Sequence, residues 1–412
     1  MPYDLKSLRA PRLWGMPLKT LVSLIENGYS RKMLEYPLLK EAGLDKLREL
    51  TSDDTPVMIP KYPKGRSMSA ANAQQTLEVF DDLLNSSNES SASADQNTFQ
   101  FNSIFDYASA YRKGTTTPVL VAEQVIHAIN ESNKGKTPLR AIINSSEHDI
   151  LRQAKASQQR LEDGKPLSIL DGVPVAVKDE VDMVPYTTSV GTQIYGQDNS
   201  AAQDATVVAR LRAAGALLIG KANMHEMGIG VTGGNPHFGV CRNPYDVLHH
   251  TGGSSSGSAS AVAAGLCPLS VGADGGGSVR IPAALCGVAG LKATWSRVSE
   301  FGAAPLCWSV AHIGPLGATV DDVALGYSLM AGADDNDSMT QEQPNVHLKD
   351  YLNKDLSGLR VGVFTPWFNH ADKEVVEHCT KALKILEKHG ATRHEVTLDN
   401  LDVQRVAHMV TI

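Results

Sequence analysis

Paired cysteines, long apolar runs and a one-sided charge are all missing from this chain of 412 residues. Its five cysteines, Cys241, Cys267, Cys286, Cys307 and Cys379, are odd in number and form no C-x-x-C pair. Neither a disulfide framework nor a zinc site is therefore indicated, and reduced intracellular thiols are the default. No run of eighteen apolar residues occurs, and the N-terminus has no short apolar core followed by a small-residue cleavage site. Neither a transmembrane helix nor secretion by that route is expected. The formal charge of −7 is mild, and no Lys/Arg block recurs with interleaved aromatics. This argues against a nucleic-acid partner and for a small polar or neutral ligand. His225-Glu226 lacks the second histidine of an H-E-x-x-H zinc helix, so no metal is called for, and no bound cofactor is implied.

Along the chain, apolar residues at helical spacing between positions 17 and 50 predict two amphipathic helices. They either pack onto the main domain or make a membrane-surface or dimer contact. The polar tract Ser86–Ser93 predicts a mobile linker, which sets a helical extension and linker over 1–100 apart from a catalytic domain over 101–412. Thr117 as N-cap with Pro118 at the first helical position predicts a helix to about Asn130, and a second covers roughly Glu147 to Glu162. Val173–Val177 reads as a buried strand; Asp204 is expected to cap a helix through Ala214, and Ala216–Ile219 reads as the next strand. The alanine-rich Ser258–Leu266 suits a tightly packed helix. Leu359–Phe364, Asp372–His389, Arg393–Leu398 and Asn400–Ile412 continue as strand, helix, strand, helix. The alternation defines an α/β layer architecture, and no fixed-period repeat is visible.

What is abundant is glycine and serine in one place. Thr251-Gly252-Gly253-Ser254-Ser255 and Asp274-Gly275-Gly276-Gly277-Ser278-Val279-Arg280 bracket a run of small residues. Glycine clusters cost backbone entropy, so their concentration suggests that main-chain N–H groups approach a ligand closely, as beside a nucleophile with an oxyanion hole. A serine needs a base, yet none of the thirteen histidines sits in a recognisable triad setting. Lys178, at the end of an apolar strand, is the alternative. Burial lowers a lysine's pKa and frees the neutral amine, although a lysine in such a place is also commonly a surface or salt-bridged residue.

Asp171-Gly172-Val173-Pro174 with Lys178, Gly220-Lys221-Ala222-Asn223-Met224, the two glycine-serine segments and Cys286-Gly287-Val288-Ala289-Gly290-Leu291-Lys292 together resemble the amidase signature hydrolases, in that family's own order, from about Thr117 to Ile412. The resemblance implies a central mixed twisted β-sheet flanked by helices on both faces. It also implies a Ser-cisSer-Lys set: Ser278 as acyl nucleophile, Ser254 as bridging serine after a cis Gly253–Ser254 peptide, and Lys178 as base. The amides of Gly275, Gly276, Gly277 and Ser278 would form the oxyanion hole, with Ser255 in support. For Asp274 and Arg280, a buried pair or capping network supporting the loop and direct catalysis both stay open.

His225-Glu226-Met227-Gly228, Arg242-Asn243-Pro244-Tyr245-Asp246 and the triple glycine are most similar to the plant-type fatty acid amide hydrolases. That resemblance implies N-acylethanolamines and related lipid amides as substrates and a homodimer. It also implies peripheral contact with endoplasmic reticulum or plasma membrane, and a chain that normally continues past residue 412 to complete the sheet. An inactive binding or regulatory fragment and a glutamine-hydrolysing transamidase subunit remain as alternatives.

Overall fold

The computed structural model describes residues 3–5, 13–49, 102–196, 200–341, 343, 346, 348 and 351–412; the tract Ser86–Ser93 lies outside them. The chain divides into two compact units, one of Lys61–Lys349 with Ile412 and one of Met1–Pro60 with Asp350–Thr411.

The larger unit is built on a six-stranded mixed sheet. Its strands are β1 (Ile142–Asn144), β2 (Pro174–Lys178), β3 (Leu217–Ala222), β6 (Leu269–Asp274), β7 (Ala289–Gly290) and β8 (His312–Gly317), while β4 (Arg242–Asn243) and β5 (Asp246–His250) form a separate hairpin. The spatial order is β1-β3-β2-β6-β8-β7. β2 runs parallel to both β3 and β6, whereas β1, β8 and β7 pair antiparallel. Every residue of β2, β3, β6 and β8 is buried. Strands covered on both faces read as continuous apolar runs, which is why Val173–Val177 and Ala216–Ile219 are legible as strands.

Helices lie on both faces, as the alternation of side chains along β6 shows. The helix Val320–Met330 approaches the Leu269 side, where a methyl group on Gly326 would meet Leu269 at 2.7 Å. The helix Ser256–Ala263 lies on the other side. There Ser258 Oγ donates to Val271 O (2.9 Å), Ser270 Oγ donates to Ser258 O (3.0 Å), and a Cβ on Gly272 would meet Ser255 Oγ at 2.8 Å. Register places Ala176 opposite Ser270, so Lys178 and Asp274 project to this same side.

Local signals act mostly as expected. Thr117 Oγ1 accepts from the Leu120 amide at the start of Pro118–Ser132, and Ser146 caps Glu147–Glu162. The expected Asp204 cap is an exception. The helix Thr206–Ala213 begins after Ala205, which has no side-chain cap, because the Asp204 carboxylate takes Arg212 (2.7 Å) and the Val184 amide (2.8 Å) instead. A charged bidentate partner outcompetes a single capping bond.

In the other unit the 17–50 region forms three helices, Gly15–Glu26, Gly28–Ala42 and Leu44–Glu49. Gly43 closes the second in the left-handed conformation (φ 82°) and leaves room for Val406, whose methyl would lie 3.2 Å from any added Cβ. The helix Leu401–Thr411 packs there, with Asp402 ion-paired to Lys46 and Arg405. β9 (Arg360–Val363) and β10 (Thr392–Glu395) pair in parallel, connected through the helix Lys373–Lys388 as parallel strands require.

Candidate active site

β2 and β6 are adjacent and parallel, so their C-terminal ends deliver Lys178 and the loop after Asp274 to one place. Lys178 is 1% exposed. Its Nζ lies 2.7 Å from Ser254 Oγ, 3.2 Å from Ala273 O and 3.3 Å from Glu180 Oε1. Burial is the largest influence on the amine and holds its pKa below the ordinary lysine value, while Glu180 and Asp274 pull in the opposite direction.

Ser254 sits just before the helix Ser256–Ala263, and the Gly253–Ser254 peptide is cis. Its carbonyl accepts from the His225 amide (3.0 Å), and the neighbouring Ser255 amide donates to Ser278 O (3.1 Å), which ties the two serine segments together. Ser255 Oγ donates to Ala273 O and accepts from Ala273 N, both at 3.2 Å. Ala273 O is thus shared by Lys178 and Ser255.

Asp274 organises the loop that follows. Its buried carboxylate accepts from the amides of Gly277 (2.7 Å), Val279 (3.1 Å) and Arg280 (3.2 Å), and from Arg280 Nε (2.9 Å) and Nη2 (3.0 Å). These contacts keep its pKa below the usual carboxylate range against a burial effect that pushes it up. Asp274 and Arg280 form a loop-holding network here, and the Gly277 amide belongs to it. Among the four expected oxyanion donors, Gly277 therefore points elsewhere, whereas Gly275, Gly276 and Ser278 line the cavity described next.

A cavity of ≈ 230 Å³ opens against Lys178, Ser254 and Ser278. Its far wall comes from residues 300–313, including Glu300, Ala304, Leu306, Trp308 and Ile313. Glu180 and Glu300 supply its carboxylates. Burial, followed by Asp337 and Glu180, pushes the Glu300 carboxyl up to about 8, so it carries a proton at neutral pH. Neither glutamate stands out in the sequence. Glu180 lies two positions past the end of β2, in a turn that the Val181 amide closes on Lys178 O (3.0 Å), so strand alternation does not point to it. The 300–313 wall offers no periodic pattern either. His225 has its imidazole pKa lowered, chiefly by burial, and it joins this region through its backbone. Part of the small-residue run has a purely structural use: Gly257 is buried, and a Cβ there would lie 2.2 Å from Ala141 O and 2.3 Å from Asn223 N.

The six-stranded mixed sheet and this cavity make an α/β protein with a pocket at the strand ends, and comparison with known proteins gives its class. The family model for amidases matches residues 121–410. A fatty acid amide hydrolase of Oryza sativa subsp. indica is 36% identical over all of this chain and 70% of its own length. A glutamyl-tRNA(Gln) amidotransferase subunit from Alkaliphilus metalliredigens is 39% identical over 73% of this chain and 60% of its own. Among solved structures, the native peptide amidase of Stenotrophomonas maltophilia superposes with a TM-score of 0.68 at 31% identity, covering 74% of this chain and 64% of that one. The chain belongs to the amidase signature family.

Proposed function

We propose that this chain is a serine amidohydrolase acting on fatty acyl amides of the N-acylethanolamine class, with Ser278 as nucleophile, Ser254 as bridging serine and Lys178 as base. The observation that carries this reading is the 2.7 Å contact between a fully buried lysine amine and Ser254 Oγ, beside a cavity that Ser278 also lines. Neutral Lys178 takes the Ser254 proton while Ser254 takes that of Ser278, whose oxygen attacks the amide carbonyl. Negative charge gathers on the carbonyl oxygen near the amides of Gly275, Gly276 and Ser278. Collapse returns the proton through Ser254 to the departing nitrogen, and water then hydrolyses the acyl-enzyme.

The lipid substrate is supported by similarity to the rice fatty acid amide hydrolase across the whole chain and by the apolar wall of Ala303, Ala304, Pro305, Leu306, Trp308 and Ile313. Similarity to the Alkaliphilus protein favours a second reading, glutamine hydrolysis within a transamidase. The cavity wall bears the Glu180 carboxylate and no arginine among its described residues, which suits a neutral amide better than one carrying a carboxylate. Membrane contact and a homodimer belong to the same proposal. Trp14, just before the first helix, and Met16, Leu18, Val22 and Leu24 along it are exposed and would serve either surface. Among the described residues no helix is long and apolar enough to cross a membrane.

The test is release of free fatty acid from an acylethanolamide by the purified chain, with Ser278→Ala as control. Hydrolysis abolished by that change supports the reading. Hydrolysis of glutamine but not of the lipid amide transfers it to the second, and full activity in Ser278→Ala sinks both.

A further inference from the structure

We infer that Glu180 is the positioning residue of the base: it turns the lone pair of Lys178 toward Ser254 and steadies the ammonium that forms when the proton arrives. The inference rests on the Ser-Ser-Lys relay proposed above. Three oxygens surround Lys178 Nζ: Ser254 Oγ at 2.7 Å, Ala273 O at 3.2 Å and Glu180 Oε1 at 3.3 Å. A neutral amine has two N–H donors and one lone pair to distribute among them. Ala273 O and the Glu180 carboxylate can only accept, so each takes one N–H. Ser254 alone carries a proton of its own, and the remaining lone pair falls to it. Without Glu180 one N–H is free to swing onto Ser254 Oγ, and the amine then donates where it should accept.

The same carboxylate acts again after proton transfer. The bond from Ser254 oxygen to hydrogen breaks, a third N–H forms on Nζ, and the resulting cation lies 3.3 Å from an anion in a buried site. That attraction is stronger in the charged state than in the resting amine, so it favours the transfer itself. The other charged and titratable groups around Lys178 are differently engaged. Asp274 comes from β6 but is committed to Arg280 and three amides. His225 stands on the segment bonded to Ser254, and Glu300 bears on Glu180 from the cavity wall. Glu180 is thus the carboxylate with a direct contact to the amine.

Two variants of the full chain separate orientation from charge. Glu180→Gln keeps an acceptor oxygen of the same reach and removes the charge; Glu180→Ala removes both. The readout is the rate of fluorophosphonate labelling of Ser278 across pH, with thermal unfolding as a check on folding. Removing the anion makes the lysine less basic, so the acid limb of the Glu180→Gln profile is expected to move down by about one pH unit, with a plateau rate about tenfold lower. Glu180→Ala is expected to lose roughly a hundredfold. If Glu180→Ala does not fold, the acid limb of Glu180→Gln decides alone. An unmoved limb and parent-like rate in Glu180→Gln, with Lys178→Ala unreactive, overturn the role of Glu180 and leave the relay standing. Parent-like labelling in Lys178→Ala overturns the relay itself.

Discussion

Replacing Asp274 with alanine should loosen the glycine loop that carries Ser278. The carboxylate is fully buried and collects three main-chain amides as well as the Arg280 guanidinium. Arg280 is half exposed and will rehydrate, so most of the cost comes from the amides of Gly277, Val279 and Arg280 losing a charged acceptor. Such bonds are worth about 1.5–3 kcal/mol each, and the loop will recover part of the loss by relaxing toward water. A net penalty of about 4 kcal/mol results, within the usual cost of breaking a buried ion pair. At roughly 2 °C per kcal/mol for a unit of this size, the unfolding midpoint should fall by about 8 °C. Asp274→Asn keeps one carbonyl acceptor and should fall by about half as much. Because the folded pKa is depressed, the contribution is present above roughly pH 4 and disappears as pH falls through the folded value, so parent and variant should converge in acid. Scanning calorimetry from acid to neutral pH, paired with fluorophosphonate labelling of Ser278, measures both effects. A midpoint within about 2 °C of the parent at neutral pH, with labelling unchanged, would refute the claim that Asp274 holds the loop.

Two further expectations follow from the packing and the cavity. Gly257→Ala drives a methyl group into Ala141 O and Asn223 N, and should cost about 3 kcal/mol or more; an unchanged unfolding midpoint would show that the helix Ser256–Ala263 can shift to accept it. Glu300 has a folded pKa raised from 4.5 to about 8, so stability it supplies at low pH should decline as pH rises through that interval. Glu300→Gln should flatten the decline, and denaturant titrations that give the two proteins the same change in unfolding free energy between pH 5 and pH 8 would contradict the assignment.

Where one residue's chemistry dictated its neighbourhood, the fold was readable in advance. Thr117-Pro118 is an N-cap followed by a first-turn proline, and the helix begins there; the apolar stretch ahead of Lys178 is a buried strand carrying the lysine at its end. The glycine-serine segments are conspicuous, and the fold brings both around one cavity. Contacts made across the chain were not readable. Asp204 has the composition of a cap but is drawn to Arg212 and Val184. Gly257 looks like a ligand-binding glycine but is empty of side chain so that a helix can touch Ala141 and Asn223. Glu300 and Trp308 come from a stretch without periodicity, and only the folded chain sets them opposite Lys178. The Gly277 amide faces Asp274 because the carboxylate three residues earlier reaches it first.

The cavity draws on two parts of the chain that tolerate change very differently. Lys178 and Ala273 lie on adjacent, wholly buried strands, and a substitution there disturbs the sheet as well as the chemistry. The opposing wall is largely the connection from Glu300 to Ala311, which carries no strand of the sheet and leaves Trp308 partly in solvent. Connections of this kind accept insertions and exchanges that strands do not. On the proposed reaction, breeding this scaffold toward new acyl groups is therefore a matter of varying Ala303, Ala304, Leu306, Trp308 and Ala311 as a cassette, transplanted or randomised, with the strand-borne residues left as they are.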